Sequence, residues 1–447
     1  MNRRDLLKWM ALSGGAMAAP GWVWAMPGGS PVTDRLVVIF LRGAADGLSI
    51  AAPLGESRYF DLRPTLAVPE SDALPLDGFF GMHPAAAGLK TLFDSGELAI
   101  VHATGLSTAQ RSHFEAQAAM EQGIDASELS PGDGWIGRYM SSLMDLSPLA
   151  AVALDRAVPQ SMGGLGSALA IGSVDEFGLE VDSGTRERLH HAYRRDPILK
   201  PTADALFDAI DAMSPVQEFG AGDGYPADPL GLALADTARL IKSGAGVRVA
   251  AVNAGGWDHH DSQIPQMDTV LGSLSSAVAA FRDDLGSAWG TTTLVIQTEF
   301  GRRVAENASG GTDHGHGGVM LVGGGGVNGG QVYGDWPGLA PSSLTDGQDL
   351  AVTTDYRQVL AEMLSQRLGV ADFGSIFQGW QPGSWQGIFR PAQAMAHARA
   401  KPVPKASAGP ASPSMAAQIR SLSGMPSFRP RRGKDAVAGA FEKPGQR

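Results

Sequence analysis

Four polar clusters in this sequence each follow a short apolar run, and their residue types suit metal or anion chemistry. The first is Arg42-Gly43-Ala44-Ala45-Asp46-Gly47-Leu48-Ser49. A carboxylate in such a turn can reach a metal, but by itself Asp46 reads as a turn aspartate holding its own backbone. The second cluster is Gly255-Gly256-Trp257-Asp258-His259-His260-Asp261. Two imidazoles and two carboxylates at the end of a buried strand are costly unless something pairs them. Neutral imidazole and carboxylate are natural ligands for zinc, manganese or iron; an exposed His-rich loop is the competing reading. The third runs Glu299-Phe300-Gly301-Arg302-Arg303 and resumes at Gly311-Thr312-Asp313-His314-Gly315-His316-Gly317-Gly318. Glycines beside a histidine let the backbone approach a ligand closely. Four of the ten histidines fall in these last two windows, which favours metal binding over chance. The fourth cluster spans Thr104 to Phe114 and contains Arg111-Ser112-His113. A hydroxyl at a helix start reads first as an N-cap. The same place also suits an anionic substrate or a nucleophile that forms an ester.

The elements that must position these clusters alternate between strand and helix. Short aliphatic or β-branched runs predict strands at Leu36–Leu41, Leu98–His102, Gly246–Asn253, Thr292–Thr298 and Val319–Val322. Helices are expected at Pro84–Phe93, His113–Gln122, Leu230–Ile241, Met267–Leu285 and Tyr356–Leu368. The alternation predicts an α/β fold with a largely parallel central sheet flanked by helices, over residues 30–390. Each cluster then lies just past a strand end, where open α/β sheets bind ligands. Residues 123–228, rich in Gly and Pro, are expected to form an insertion or a cap.

The termini read differently. Residues 1–25 hold Arg3-Arg4, a weakly apolar stretch from Trp9 to Ala19, and Val23-Trp24-Ala25 before an expected cut after Ala25. That is a secretory signal with the paired arginines of the twin-arginine route, so the translocase is an expected partner and the destination periplasmic or secreted. The apolar stretch is too short and interrupted for a membrane anchor, and no later segment has the roughly 20 apolar residues of a spanning helix. Residues 391–447, rich in Ala, Pro, Ser, Lys and Arg, read as a basic and mostly disordered tail. With no cysteine, disulfides and thiolate metal sites are excluded, so any metal must be held by His, Asp and Glu. A net charge of −11 argues against nucleic acid as a partner.

Together the motifs Leu-Arg-Gly-Ala-Ala-Asp-Gly-Leu-Ser, Arg-Ser-His-Phe-Glu-Ala-Gln, Gly-Gly-Trp-Asp-His-His, Thr-Glu-Phe-Gly-Arg and Gly-Thr-Asp-His-Gly resemble the exported DUF-1501 family. That family resembles a branch of the alkaline phosphatase and sulfatase superfamily, which implies an alkaline-phosphatase-like sandwich and metals at the C-terminal edge of its sheet. By resemblance, Asp46 is the first-strand carboxylate of one metal, Asp258 and His260 ligate the other, and His314 completes that site. Glu299 stands where relatives carry an Asp-His pair, so with Phe300 next to it one ligand is missing; His259 and His316 are the candidates to replace it. Ser112 matches the hydroxyl nucleophile, and Arg111 and Arg302 are candidate clamps for a tetrahedral anion. No Cys is present for the formylglycine of sulfatases, which favours phosphoryl-type transfer.

The expected function is thus a divalent-metal-dependent hydrolase or transferase acting on a small-molecule or glycan phosphate or sulfate ester. Zinc, manganese, iron and calcium are not distinguished. The alternatives are a non-catalytic metal-binding envelope protein of the same fold and a single-metal redox enzyme.

Overall fold

The computed structural model describes residues 34–391 apart from 145, 180, 195, 197 and 198. The expected signal peptide, and the tail from residue 392 on, lie outside the described residues.

The run Leu-Val-Val-Ile-Phe-Leu makes β1 (Arg35–Leu41), buried on both faces. Its alternate side chains sort into two separate cores: Val37, Ile39 and Leu41 into one, Leu36, Val38 and Phe40 into the other. That division is the period-2 geometry of a strand covered on both sides. Parallel to β1 on one side runs β5 (Val249–Ala254), and on the other β6 (Thr292–Thr298). The sheet continues past β6 through β7 (Gly318–Gly324) to β2 (Leu98–Gly105) and β8 (Val332–Tyr333). Past β5 it reaches β3 (Ala151–Ala153) and β4 (Leu169–Ala170). A last short strand, β9 (Thr354–Asp355), also pairs with β2. β7 is antiparallel to both of its neighbours, and the other pairings are parallel. The sheet is therefore mixed and mostly parallel, as the sequence predicts.

Helices cover both faces. One face is packed by α1 (Ala87–Asp94), α4 (Pro229–Lys242) and α5 (Gln263–Leu285) through Leu89, Leu234, Leu271 and Phe281. The other is packed by α2 (His113–Gln122), α3 (Trp135–Ser141) and α6 (Tyr356–Leu368) through Ala119, Trp135 and Leu360. α2 stops at Gly123, whose left-handed φ of 70° suits glycine; a Cβ there would stand 2.8 Å from that of Trp135. The Gly-rich middle is not wholly peripheral. Within residues 123–228, Ala151–Ala153 enters the central sheet and α3 packs on it, because these runs are as apolar as the strands and helices around them.

β2 carries a buried histidine. His102 donates from Nε2 to the Ala51 carbonyl at 3.0 Å, accepts the Ala103 amide at Nδ1, and stacks on Phe80. Burial pushes its pKa down to about 4. A base whose folded pKa lies below its unfolded value costs stability as pH falls through the unfolded value, 6.5, because only the unfolded chain takes the proton. The penalty levels off below the folded value, at about 3 kcal/mol. Urea titrations between pH 7 and pH 4 should show this loss, and His102→Gln should make the slope over that window shallower.

Candidate metal centre

The C-terminal ends of β1, β2, β5 and β6 open at one edge of the sheet, and the loop that enters β7 returns there. At that edge three imidazoles converge. His314 Nε2 lies 3.0 Å from His113 Nε2 and 2.9 Å from His260 Nε2. Asp258 Oδ1 is 3.2 Å from His314 Nε2 and 3.0 Å from His260 Nε2, and Asp258 Oδ2 is 3.3 Å from His113 Nε2. Ligand atoms about 2.0–2.2 Å from a tetrahedral ion stand about 3.4 Å from one another, so these spacings suit a shared cation. Among the described residues His113, Asp258 and His314 form the one tight ligand group, and His260 abuts it.

The second nitrogen of each ring explains the convergence. His314 Nδ1 donates to the Arg111 carbonyl at 2.8 Å, His113 Nδ1 is held by Glu299 Oε1 at 2.8 Å, and His260 Nδ1 lies 3.4 Å from Asp313 Oδ1. With Nδ1 protonated by an outside acceptor, a neutral ring turns the bare lone pair of Nε2 inward. Two such lone pairs 3.0 Å apart repel unless a proton or a metal lies between them. Outer acceptors of this kind also fix the tautomer and raise the basicity of metal-binding histidines. Burial lowers the pKa of His314, and the hydrogen bond that His113 makes to Glu299 raises that of His113. Partial burial would raise the Asp258 pKa, but the adjoining Arg302 guanidinium prevails and holds it at about 2, so this carboxylate is ionised.

Glycines let the loops meet. Gly43 has a φ of +118°, and a Cβ on it would lie 2.6 Å from the Asp258 amide nitrogen. A Cβ on Gly311 would stand 2.3 Å from the His260 carbonyl carbon. The glycines of these motifs thus bring backbone against backbone rather than backbone against ligand.

Several sequence expectations change here. Asp46 is not brought to the cluster. Its carboxylate is buried, takes two hydrogen bonds from Arg63 at 2.5 and 3.1 Å, and accepts further from Ser49, Gln263 and the Leu48 amide. The turn reading of Asp46 describes it better than the ligand reading. Glu299 lies behind the ligands, accepting from His113, Gln117 and the Gly43 amide. His259 turns away to the Gly256 carbonyl, and His316 to the carbonyl of Leu106. Beside Glu299, where the resemblance expects a further nitrogen, stands His113, whose ring stacks on Phe300 with centroids 5.1 Å apart. Arg302 is buried and donates to the Gly43, Ala44, Trp257 and Thr312 carbonyls as well as to Asp258, so its guanidinium is turned to protein acceptors. The Arg111 guanidinium pairs with Asp346 and Asp349, so its contribution at the cluster is its carbonyl. Ser112 occupies the N-cap position of α2 without a side-chain capping bond. In the sequence His113 stands only as the start of a helix. The signal for it was a third imidazole following a buried strand, beside a serine already singled out.

Asp258 and His260 keep nearly half of their side-chain surface exposed, so the cluster is open on one side. No helix among the described residues is long and apolar enough to cross a membrane.

Several solved structures align with this chain at low identity. A phosphonate monoester hydrolase of Agrobacterium radiobacter aligns over 79% of this chain and 78% of its own, with 11% identity and a TM-score of 0.34. The PsFucS1 sulfatase from Pseudoalteromonas sp. aligns over 80% and 73%, with 11% identity and a TM-score of 0.36. An alkaline phosphatase from the Antarctic bacterium TAB5 aligns over 68% and 95%, with 11% identity and a TM-score of 0.27. No curated protein matches the sequence. Residues 186–377, which carry Asp258, His260, Glu299 and His314, match the model of the family described as Protein of unknown function (DUF1501), the family that the motifs resemble.

Proposed function

We propose that the chain is a hydrolase or transferase of phosphate or sulfate esters built on a single divalent-metal centre held by His113, Asp258, His260 and His314. The observation that carries this reading is the convergence of three imidazole Nε2 atoms on one carboxylate, each ring gripped from behind. A bound divalent ion would supply Lewis acidity toward an ester oxygen. The open side of the cluster supports catalysis over a purely structural site, since catalytic centres keep a position for substrate. Ser112 supports an ester substrate: it stands between Arg111, whose carbonyl holds His314, and His113, with its hydroxyl not engaged in capping. Its oxygen would bond to phosphorus or sulfur as the alcohol departs with the serine proton, and water would then release the acid and restore the hydroxyl. The amides and dipole at the start of α2 favour an anionic group there. We place this activity outside the cytoplasm, on the strength of the paired arginines Arg3-Arg4.

One observation favours a second reading, a redox enzyme at the same centre. The guanidinium groups of Arg42, Arg111 and Arg302, which lie around the cluster, are all engaged by protein acceptors. Elemental analysis of the protein as isolated, with turnover of phosphate and sulfate monoesters and diesters, decides between the two. One metal per chain with ester turnover that Ser112→Ala abolishes supports the hydrolase. One manganese or iron without ester turnover supports the redox reading, and no bound metal overturns both.

A further inference from the structure

Phe114 is the most exposed large apolar side chain among the described residues, at 89%. It directly follows the cluster residue His113 in the first turn of α2. Around that helix His113 and Gln117 share the face turned to Glu299, while Ala116, Ala119 and Met120 turn to the core. One residue on from His113 is about 100° round the helix, between the cluster face and solvent. Helical side chains lean toward the N-terminus, so Phe114 leans toward the same end of α2 that carries His113. A second exposed apolar residue, Ile264, lies four positions after His260 in the first turn of α5. Thus two of the helix starts that follow cluster residues present apolar surface to water. Neither contributes to either core, and covering a phenyl ring with an apolar ligand surface is favourable.

We propose that Phe114, on the reading of the centre as an ester site, is a specificity-determining residue that packs against the ring of the substrate's alcohol portion. It selects aryl or sugar esters over small alkyl esters. An aromatic platform beside a polar centre matches the common plan of ligand sites, in which apolar contact supplies affinity and a few polar groups fix orientation. A flat ring stacks on Phe114 with offset geometry, and a sugar presents its C–H face.

Calorimetric binding of phenylphosphonate and methylphosphonate to the metal-loaded full chain tests this. The phenyl ligand should bind about tenfold tighter to the wild type, as expected for covering part of one ring. Phe114→Ala should bring the ratio close to one with metal content unchanged, and Phe114→Trp should restore it. Leu232→Ala, at a distant residue that is 60% exposed, should leave it intact. A ratio that survives Phe114→Ala overturns the assignment and leaves the ester site standing. Failure of the wild type to bind either phosphonate overturns both.

Discussion

Replacing His113 with alanine lowers the affinity for zinc or manganese by about a hundredfold to a thousandfold, roughly the share of one ligand among four in a site of ordinary strength. Dialysis against a metal-buffered chelator, followed by elemental analysis, measures it. The size of the effect follows from geometry: His113 Nε2 touches both His314 and Asp258, so its loss removes a donor and opens the centre. Glu299→Gln makes the contrast. The amide keeps an oxygen for His113 Nδ1 and the Gly43 amide but removes the charge behind the ring. Affinity should then fall by about 10- to 100-fold, the range for an outer partner of a metal-binding histidine. Equal losses in the two variants would place Glu299 among the ligands. Unchanged metal content in His113→Ala would remove the centre altogether.

The second large effect concerns the ion pair that occupies Asp46. In Arg63→Met the carboxylate stays buried without its partner, which costs about 3–5 kcal/mol. The loss also reaches the centre. Arg63 donates to the Val304 and Arg303 carbonyls, and Asp46 accepts from Gln263, whose oxygen accepts from Thr312 in the loop that carries His314. Chemical denaturation should show the drop, and metal affinity should weaken with it. The double variant Arg63→Met with Asp46→Leu should regain most of the stability, since a buried pair replaced by apolar groups is often neutral. The pH dependence gives a further check. Burial alone would raise the Asp46 pKa, but Arg63 and the surrounding hydrogen bonds lower it below 3.8. In the wild type the pair therefore stabilises above that pH and is lost as pH falls through the lowered value. Without Arg63 burial prevails and raises the pKa. The deficit of the variant is then largest near neutral pH and narrows on acidification. A deficit constant from pH 7 to pH 4 would show that the carboxylate is not buried uncompensated.

Much of the architecture was legible because local patterns dictate it. The runs at Leu36–Leu41, Leu294–Ile296 and Val319–Val322 are apolar on both alternating faces, which only a strand covered on two sides can bury. Boundaries were less legible: β5 starts at Val249 rather than Gly246, and α5 starts at Gln263 rather than Met267. At α5 the residues before Met267 join the helix through backbone hydrogen bonds that hydrophobic patterning does not register, whereas at β5 the residues before Val249 stay outside the ladder.

The sequence by itself determined the alternating α/β order and the restriction of any metal site to His, Asp and Glu, and the family resemblance, not spacing, suggested grouping Asp258, His260 and His314. Only the tertiary structure decided which side chains turn inward. His113 lies 186 positions from Glu299 and 201 from His314, so no spacing rule connects them. The strand order brings β2 and β6 to one edge on either side of β7, and the chain ends there meet. Likewise the resemblance implies that Asp46 is a ligand, yet Arg63, seventeen residues on, reaches it first. A buried carboxylate takes whichever cation the fold sets beside it, and that choice is made by packing rather than by motif.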